Sequence, residues 1–272
     1  MAIKYLSGKR IVGTSAERLA TVEETPDYTF NFSSNTDWTQ TTSGTSNTVY
    51  IDTSAGNLRH NTTTNIGAMK KVYYALTDYT SGSAVNNSKW VMRFKWVVTS
   101  QYVPSSWLMA LSGNTTDPDS TSFNGIGIQV NDQSGSYGYH IGTGDGSTKT
   151  YSSDVTTPSN SQTLYFELKR TSATNATLTC WSDSYGGTQV GTTQSLTIPS
   201  GVTSLVYLQS GSGQGGNSSR TLNATLDDLE IYDDVTTTTI TANIQTNSIF
   251  EESDTGKHYI WNATTSAWVE VG

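Results

Sequence analysis

Cysteine is nearly absent. Cys180 is the single one in 272 residues, so no disulfide can form within the chain, and with only three histidines no Cys/His cluster offers a zinc site. Within "ATLTCWS" this cysteine reads as a small buried hydrophobe rather than a nucleophile. No apolar run is long enough to span a bilayer, and the N-terminal "MAIKYLSGKRIVG" has no apolar region of the secretory kind. Membrane insertion and classical export are therefore not expected. Ions are sparse as well: charged residues make up 14% and the net charge is −8. Lys4, Lys9, Arg10 and Arg18 against Glu17 give residues 1 to 18 a charge of +3, which leaves −11 for the rest. An acidic body of this kind is not a nucleic-acid-binding surface.

What the chain has instead is Ser, Thr, Asn and Gly, the residues of short strands and turns. Seven Trp and fifteen Tyr supply the apolar area that a disordered Ser/Thr tract lacks. The clearest strand is "KWVMRFKWVVT", with Trp90, Met92, Phe94, Trp96 and Val98 on one face and Arg93, Lys95 and Thr99 on the other. "GIGIQVN" and "TLYFELKRT" repeat the alternation through Ile126, Ile128 and Val130, and through Leu164, Phe166 and Leu168. Further strands are expected at "YTFNFS", "TVYID", "KVYYAL", "WLMALS", "YGYHI", "ATLTCW" and "SLVYLQS", separated by "TSGTSN", "SGNTTDPDST", "GTGDGS", "SDSYGG" and "SGSGQGGNSS". One short helix is conceivable, at "TSAERLATVEE". Many strands with one dry face each call for an all-β fold, an antiparallel two-sheet β-sandwich.

Two boundaries divide the chain into an N-terminal basic arm (1–25), a sandwich (26–235) and a C-terminal tail (236–272). In the tail Trp261 and Trp268 flank "NATTSA", a pattern of a small β-hairpin. "LDDLEIYDD" packs five carboxylates into residues 226 to 234. Its alternation sends Leu229 and Ile231 one way and Asp228, Glu230 and Tyr232 the other, so it reads as a half-exposed strand rather than an acid/base site.

The succession "YTFNFSSNTDWTQT", "WVMRFKWVVT", "LYFELKRTSATNATLTCWSDS" and "LNATLDDLEIYDD" resembles the concanavalin A-like lectin/glucanase superfamily, in particular its LamG-like jelly rolls, over about residues 26 to 235. The resemblance implies that "DDLEIYD" is the last strand and lies beside the first, "YTFNF". It specifies fold more than function, since such domains serve as lectins, glycanases and structural modules. The two ends, "MAIKYLSGKRIVGTS" and "IFEESDTGKHYIWNATTSAWVEV", resemble leader and tail segments of virion proteins from phages and other prokaryotic viruses.

Glycan hydrolysis in this superfamily uses a strand motif E-x-D-x-x-E. The nearest match, "ESDTGK", has Lys257 in place of the last carboxylate, and Asp228 and Glu230 lack a third partner, so no enzymatic activity is expected. No cofactor is required; calcium is the metal the resemblance allows, with Asp117, Asp119 and Asp145 in two oxygen-rich loops as candidate ligands, although such loops also serve turn geometry alone. A sugar site needs exposed aromatic rings beside amides or carboxylates. Trp181, Asp183 and Tyr185 form one candidate set and Asn131, Asp132 and Tyr137 another, each aromatic having core packing as its alternative. His140 reads as a surface or satisfied strand residue rather than a base. The expectation is a non-enzymatic virion surface protein that decorates a capsid or tail, attaches to a host glycan, or both. Lys4, Lys9, Arg10, Trp261 and Trp268 would make contacts with other virion proteins or with further copies. A free carbohydrate-binding lectin is the alternative, and a degenerate glycanase a weaker one.

Overall fold

The computed structural model describes residues 10–13, 26–41, 47–62, 70–76, 85–102, 106–132, 137–212, 221–234, 248–262 and 267–271. The conceivable helix at 14–24 lies outside the described residues. Two compact units divide the chain, one of residues 26–236 and one of residues 1–25 with 237–272. Among the described residues, no helix is long and apolar enough to cross a membrane.

The first seven strands are β1 (Arg10–Gly13), β2 (Tyr28–Phe30), β3 (Trp38–Gln40), β4 (Asn47–Asp52), β5 (Asn57–Thr62), β6 (Lys70–Ala75) and β7 (Trp90–Tyr102). Then follow β8 (Ser106–Ser112), β9 (Asn124–Asp132), β10 (Tyr137–Asp145), β11 (Lys149–Tyr151), β12 (Gln162–Ser172) and β13 (Asn175–Trp181). The last six are β14 (Gln194–Thr197), β15 (Tyr207–Ser212), β16 (Thr221–Asp233), β17 (Ile249–Glu252), β18 (His258–Asn262) and β19 (Ala267–Glu270).

The larger unit is all-β, an antiparallel two-sheet jelly-roll sandwich. One sheet runs β14-β13-β12-β7-β16-β5-β4 with β2 also paired to β16, and the other runs β11-β10-β9-β8-β15-β6-β3. Trp90, Phe94, Trp96, Ile126, Ile128, Leu164, Phe166, Leu229 and Ile231, expected inside, are all fully buried, and one core cluster draws on both sheets. The alternation in β7 and β12 brings Phe94 opposite Phe166 and Trp96 opposite Leu164, so that the dry faces coincide. Tyr139 of β10 packs its ring 5.0 Å from that of Phe166 and accepts a hydrogen bond from Trp96 Nε1 at 3.2 Å, which satisfies the indole inside the core. Cys180 is buried too, and burial pushes its thiol up to about 12.

The first and last strands of the sandwich are neighbours, as the resemblance implies: Phe30 faces Leu229 and Tyr28 faces Ile231. Asp27 accepts a 2.6 Å hydrogen bond from the Asp233 backbone N–H. In β16 the simple alternation breaks. Asp227 faces Lys95 and Glu230 faces Arg93, leaving one extra residue on β16, and Asp228 in this bulge has φ +51°. The bulge shifts the inward parity from Leu222, Ala224 and Leu226 to Leu229 and Ile231, all of them buried. The carboxylate run is thus spent on a bulge and an outer face.

β8 and most of β10 are buried on both faces. The reason is a covering segment on the outer side of this sheet, where Trp107 of β8 packs with Phe123 at 5.2 Å between ring centroids. Trp107 lies so close over β10 that a Cβ on Gly142 would stand 2.6 Å from the indole, which explains the glycine there.

In the smaller unit the strand order is β1-β17-β18-β19. β17, β18 and β19 form an antiparallel meander, with Trp261 opposite Trp268 and their rings 5.3 Å apart. β1 pairs with β17 in parallel, Ile11 beside Phe250. A parallel pair needs a crossover connection; here it is the chain between β1 and β17, residues 14–248. The arm and the tail, read from sequence as separate appendages, therefore share one sheet. Phe250, Tyr259 and Trp261 are buried on one face, with Trp268 packed against them. On the opposite face Ile249 and Val269 both neighbour Ile260 across the meander, and they are 39% and 47% exposed.

Candidate functional site

The three aspartates considered for calcium do not converge. Asp145 Oδ1 accepts hydrogen bonds from the backbone N–H groups of Ser147 and Thr148 and from the Ser147 hydroxyl, at 2.7 to 2.9 Å, and these bonds hold its carboxyl below the usual range. Asp117 caps the next turn by accepting from Asp119 N at 2.8 Å. Asp119 reaches the outer face of the second sheet, where its Oδ1 accepts from Trp107 Nε1 at 2.9 Å and Gln129 Nε2 at 3.2 Å, with Lys149 Nζ at 3.8 Å. Burial pushes its carboxyl up, while the Trp107 hydrogen bond and Lys149 oppose the shift. A cation is already beside Asp119, and it is the ammonium of Lys149. Among the described residues no group of three or more His, Cys, Asp or Glu side chains is placed to hold a metal ion, whereas calcium takes six to eight oxygens.

The same network takes up His140. Its Nδ1 lies 3.1 Å from Asp154 Oδ1, its Nε2 lies 3.4 Å from Gln129 Oε1, and its ring meets Tyr151 edge to face at 5.6 Å. Burial lowers its pKa against the pull of Asp154. Of the two readings open from sequence, surface residue or satisfied strand residue, the structure shows the second, with the ring fully buried.

Trp181, Asp183 and Tyr185 come together, but as a lid rather than an open platform. Asp183 accepts from the backbone of Ser184 and Thr188 and from the Thr188 hydroxyl, at 2.8 to 2.9 Å, so its oxygens belong to the turn. That turn folds Tyr185 back to within 5.5 Å of the Tyr165 ring and 6.1 Å of Trp181. Beneath it the Arg93 guanidinium stands 4.8 Å from the Tyr185 ring centroid and 5.7 Å from that of Tyr232. Arg93 Nε and Nη2 bond Glu167 Oε2 at 2.6 and 2.5 Å, and Lys169 bonds the other oxygen at 2.6 Å. Alternation in β7 and β12 puts these charges on the outer face, and the aromatic lid dries them.

Of the second set, Asn131 is buried on the outer face of β9, and for Asp132 only the backbone is described. Tyr137 has a different setting. With Gln101, Tyr102, Thr157 and Pro158 it lines an open cleft of about 300 Å³ at one end of the sandwich. Tyr102 is the last residue of β7 in one sheet and Tyr137 the first of β10 in the other. Tyr102 is 63% exposed, and no other large apolar side chain described in the sandwich is as open to solvent. Sequence reasoning missed Tyr102, because a tyrosine ending a strand carries no sign of whether its ring is covered.

For the carboxylates considered for hydrolysis, "ESDTGK" forms the turn between β17 and β18, closed by Glu252 N to Lys257 O at 2.8 Å. It is not a strand with alternate carboxylates on one face. Glu230 accepts from the Tyr232 hydroxyl at 2.8 Å, and Asp228 stands in the bulge. Among the assembly candidates, Lys4 and Lys9 lie outside the described residues and only the backbone of Arg10 is described.

No family model matches the chain, and no curated protein matches it in sequence. In fold it is similar to the exoplasmic/lumenal domain of VIP36 in a form bound to Ca2+ and Man3GlcNAc, with 10% identity over 77% of this chain and 89% of that one and a TM-score of 0.49. It is similar to the CBM2 module of the evolved Dit of Lactobacillus casei BL23 phage J-1, at 11% identity over 77% and 96% with a TM-score of 0.48. A third similar structure is the metal-free lectin I-B4 of Griffonia simplicifolia, at 12% identity over 77% and 100% with a TM-score of 0.45.

Proposed function

We propose that the protein is a non-enzymatic structural component of a virion surface, in which the terminal unit makes assembly contacts and the sandwich is displayed for decoration or host attachment. The observation that carries this reading is where apolar surface remains open. Of the four largely exposed large hydrophobic residues among those described, Ile249, Val269 and Val271 belong to the small terminal unit and only Tyr102 to the sandwich. Contiguous exposed apolar surface on a small sheet marks a surface that another chain covers. The virion setting is inferred from the resemblance of the two chain ends to virion leader and tail segments. Absence of catalysis is supported by the fates of the carboxylates, which are committed to turns, a bulge and a dried ion pair.

The full chain should associate in a concentration-dependent way, measured by light scattering after size exclusion, and an Ile249→Asp, Val269→Asp double variant should run as a monomer. A full chain that stays monomeric at every concentration would overturn the assembly reading. A free glycan-binding lectin is the second reading. The open cleft at Tyr102 and Tyr137 favours it, because that site needs no assembly partner.

A further inference from the structure

We propose that the cleft between Tyr102 and Tyr137 is a saccharide site, and that it takes a pyranose unit of an uncharged glycan. The inference rests on the attachment role proposed above and names the site and ligand class for it. Three features of the lining lead there. First, two tyrosines line a space of about 300 Å³, at the small end of ligand sites and suited to one or two sugar rings. The flat apolar face of a ring and its polar edge match a pyranose, which presents C–H groups on one face and hydroxyls around its rim.

Second, hydrogen-bonding capacity is left over, all of it neutral. Gln101 Nε2 is committed to Pro158 O at 3.2 Å, and the Gln101 backbone N–H to Asn160 Oδ1 at 2.8 Å. Among the described residues, none hydrogen-bonds the carbonyl oxygen of the Gln101 side chain, the two phenol hydroxyls or the Thr157 hydroxyl, so these are available to a ligand. Among the described side chains that line the cleft, none is an acid or base other than the phenols, and the chain as a whole carries −8. A carboxylated, sulfated or sialylated sugar would meet no cation here and a repulsive field around it.

Third, the walls are built before any ligand arrives. The segment that carries Thr157 and Pro158 is tied to β10 by Val155 N to Tyr139 O at 2.7 Å and Tyr139 N to Thr156 O at 2.9 Å. It is tied to the end of β7 by Ser161 N to Thr99 O at 3.3 Å and by the two Gln101 bonds. The wall that carries Thr157 and Pro158 therefore stands on fixed backbone, while Tyr102 and Tyr137 are held in their strands opposite Thr221 and Asp132, which lowers the ordering cost of binding.

The test uses the full-length protein on an array of neutral gluco-, manno-, galacto- and xylo-oligosaccharides beside sialylated and uronate glycans, followed by calorimetric titration of the best ligand. A neutral glycan should bind. Tyr102→Ala and Tyr137→Ala should each weaken it roughly tenfold, while Tyr102→Phe, which keeps the ring, should retain most of the affinity. Because Tyr102 is largely exposed, its variants should melt like the parent, so loss of binding is not loss of fold. Binding of a neutral glycan unchanged by both alanine variants would place the site elsewhere and overturn the proposal; so would preference for charged glycans, or no binding across the array. Sedimentation of the same samples separates the two readings: a chain that associates but binds no neutral glycan refutes the cleft and leaves the assembly role standing.

Discussion

The two units of the chain solve the problem of burying strands differently. In the sandwich each sheet covers the other, and the outer side of the second sheet is covered again by Trp107 and Phe123. The terminal unit has a dry face at Phe250, Tyr259 and Trp261, while its other face leaves Ile249 and Val269 in solvent. A single sheet cannot cover both its faces, so the sandwich can be complete by itself in a way that the terminal unit cannot. Completeness is also visible at the seam, where β2 pairs with β16 and Asp27 holds Asp233, so the two ends of the sandwich leave it side by side.

The sharpest way to break this contrast is at its centre. Phe94→Ala should cost the sandwich roughly 3 to 5 kcal/mol in denaturant titration, since the ring is fully buried between Phe166 and the opposite sheet. A loss below about 1 kcal/mol would mean that the two-sheet core is not what holds the unit. Acid should act next, through His60. Burial lowers its pKa from 6.5 to about 3, its Nε2 bonds the Ser210 hydroxyl at 2.8 Å, and its Nδ1 has no partner. The unfolded chain takes up a proton there that the folded chain refuses, so this contribution is complete above about pH 6.5 and is lost as pH falls toward 3. By pH 5 the loss should reach about 2 kcal/mol, and His60→Asn should flatten the slope; equal stability at pH 7 and pH 5 in the parent would contradict it. The smallest effect belongs to the terminal unit. Val269→Ser should change unfolding free energy by no more than about 0.5 kcal/mol while weakening association, whereas a large loss of stability would show Val269 to be covered within its own chain.

Sequence reasoning worked where a strand had one dry and one wet face. β7, β9 and β12 announced themselves through Trp90 to Val98, Ile126 to Val130 and Leu164 to Leu168, and the core residues read from them are buried. It failed where a local rule was overridden. β5 sends Leu58, His60 and Thr62 inward, and two polar residues of three hide the alternation. "GTGD" read as a turn, yet it continues β10, because glycines there give room to Trp107 and Phe123 rather than bending the chain. The bulge at Asp228 lets Leu226 and Leu229 both point inward three residues apart, which a strict period of two cannot show. The parallel pairing of β1 with β17 joins segments far apart in the chain and leaves no local trace. Of the candidate cleft, Tyr137 was legible as an aromatic beside polar residues, while Tyr102 was not, since the two line one cleft only because β7 and β10 end at the same rim.

Residues 26–236 are proposed to form a self-sufficient sandwich, and the terminal unit to be incomplete alone. Calorimetric melting of a chain consisting of 26–236, with its mass in solution measured on the same sample, tests this most directly. The truncated chain should show one cooperative transition and a monomer's mass, beside a full-length chain that associates. A truncated chain with no transition, or one that associates as strongly as the full-length protein, would contradict it.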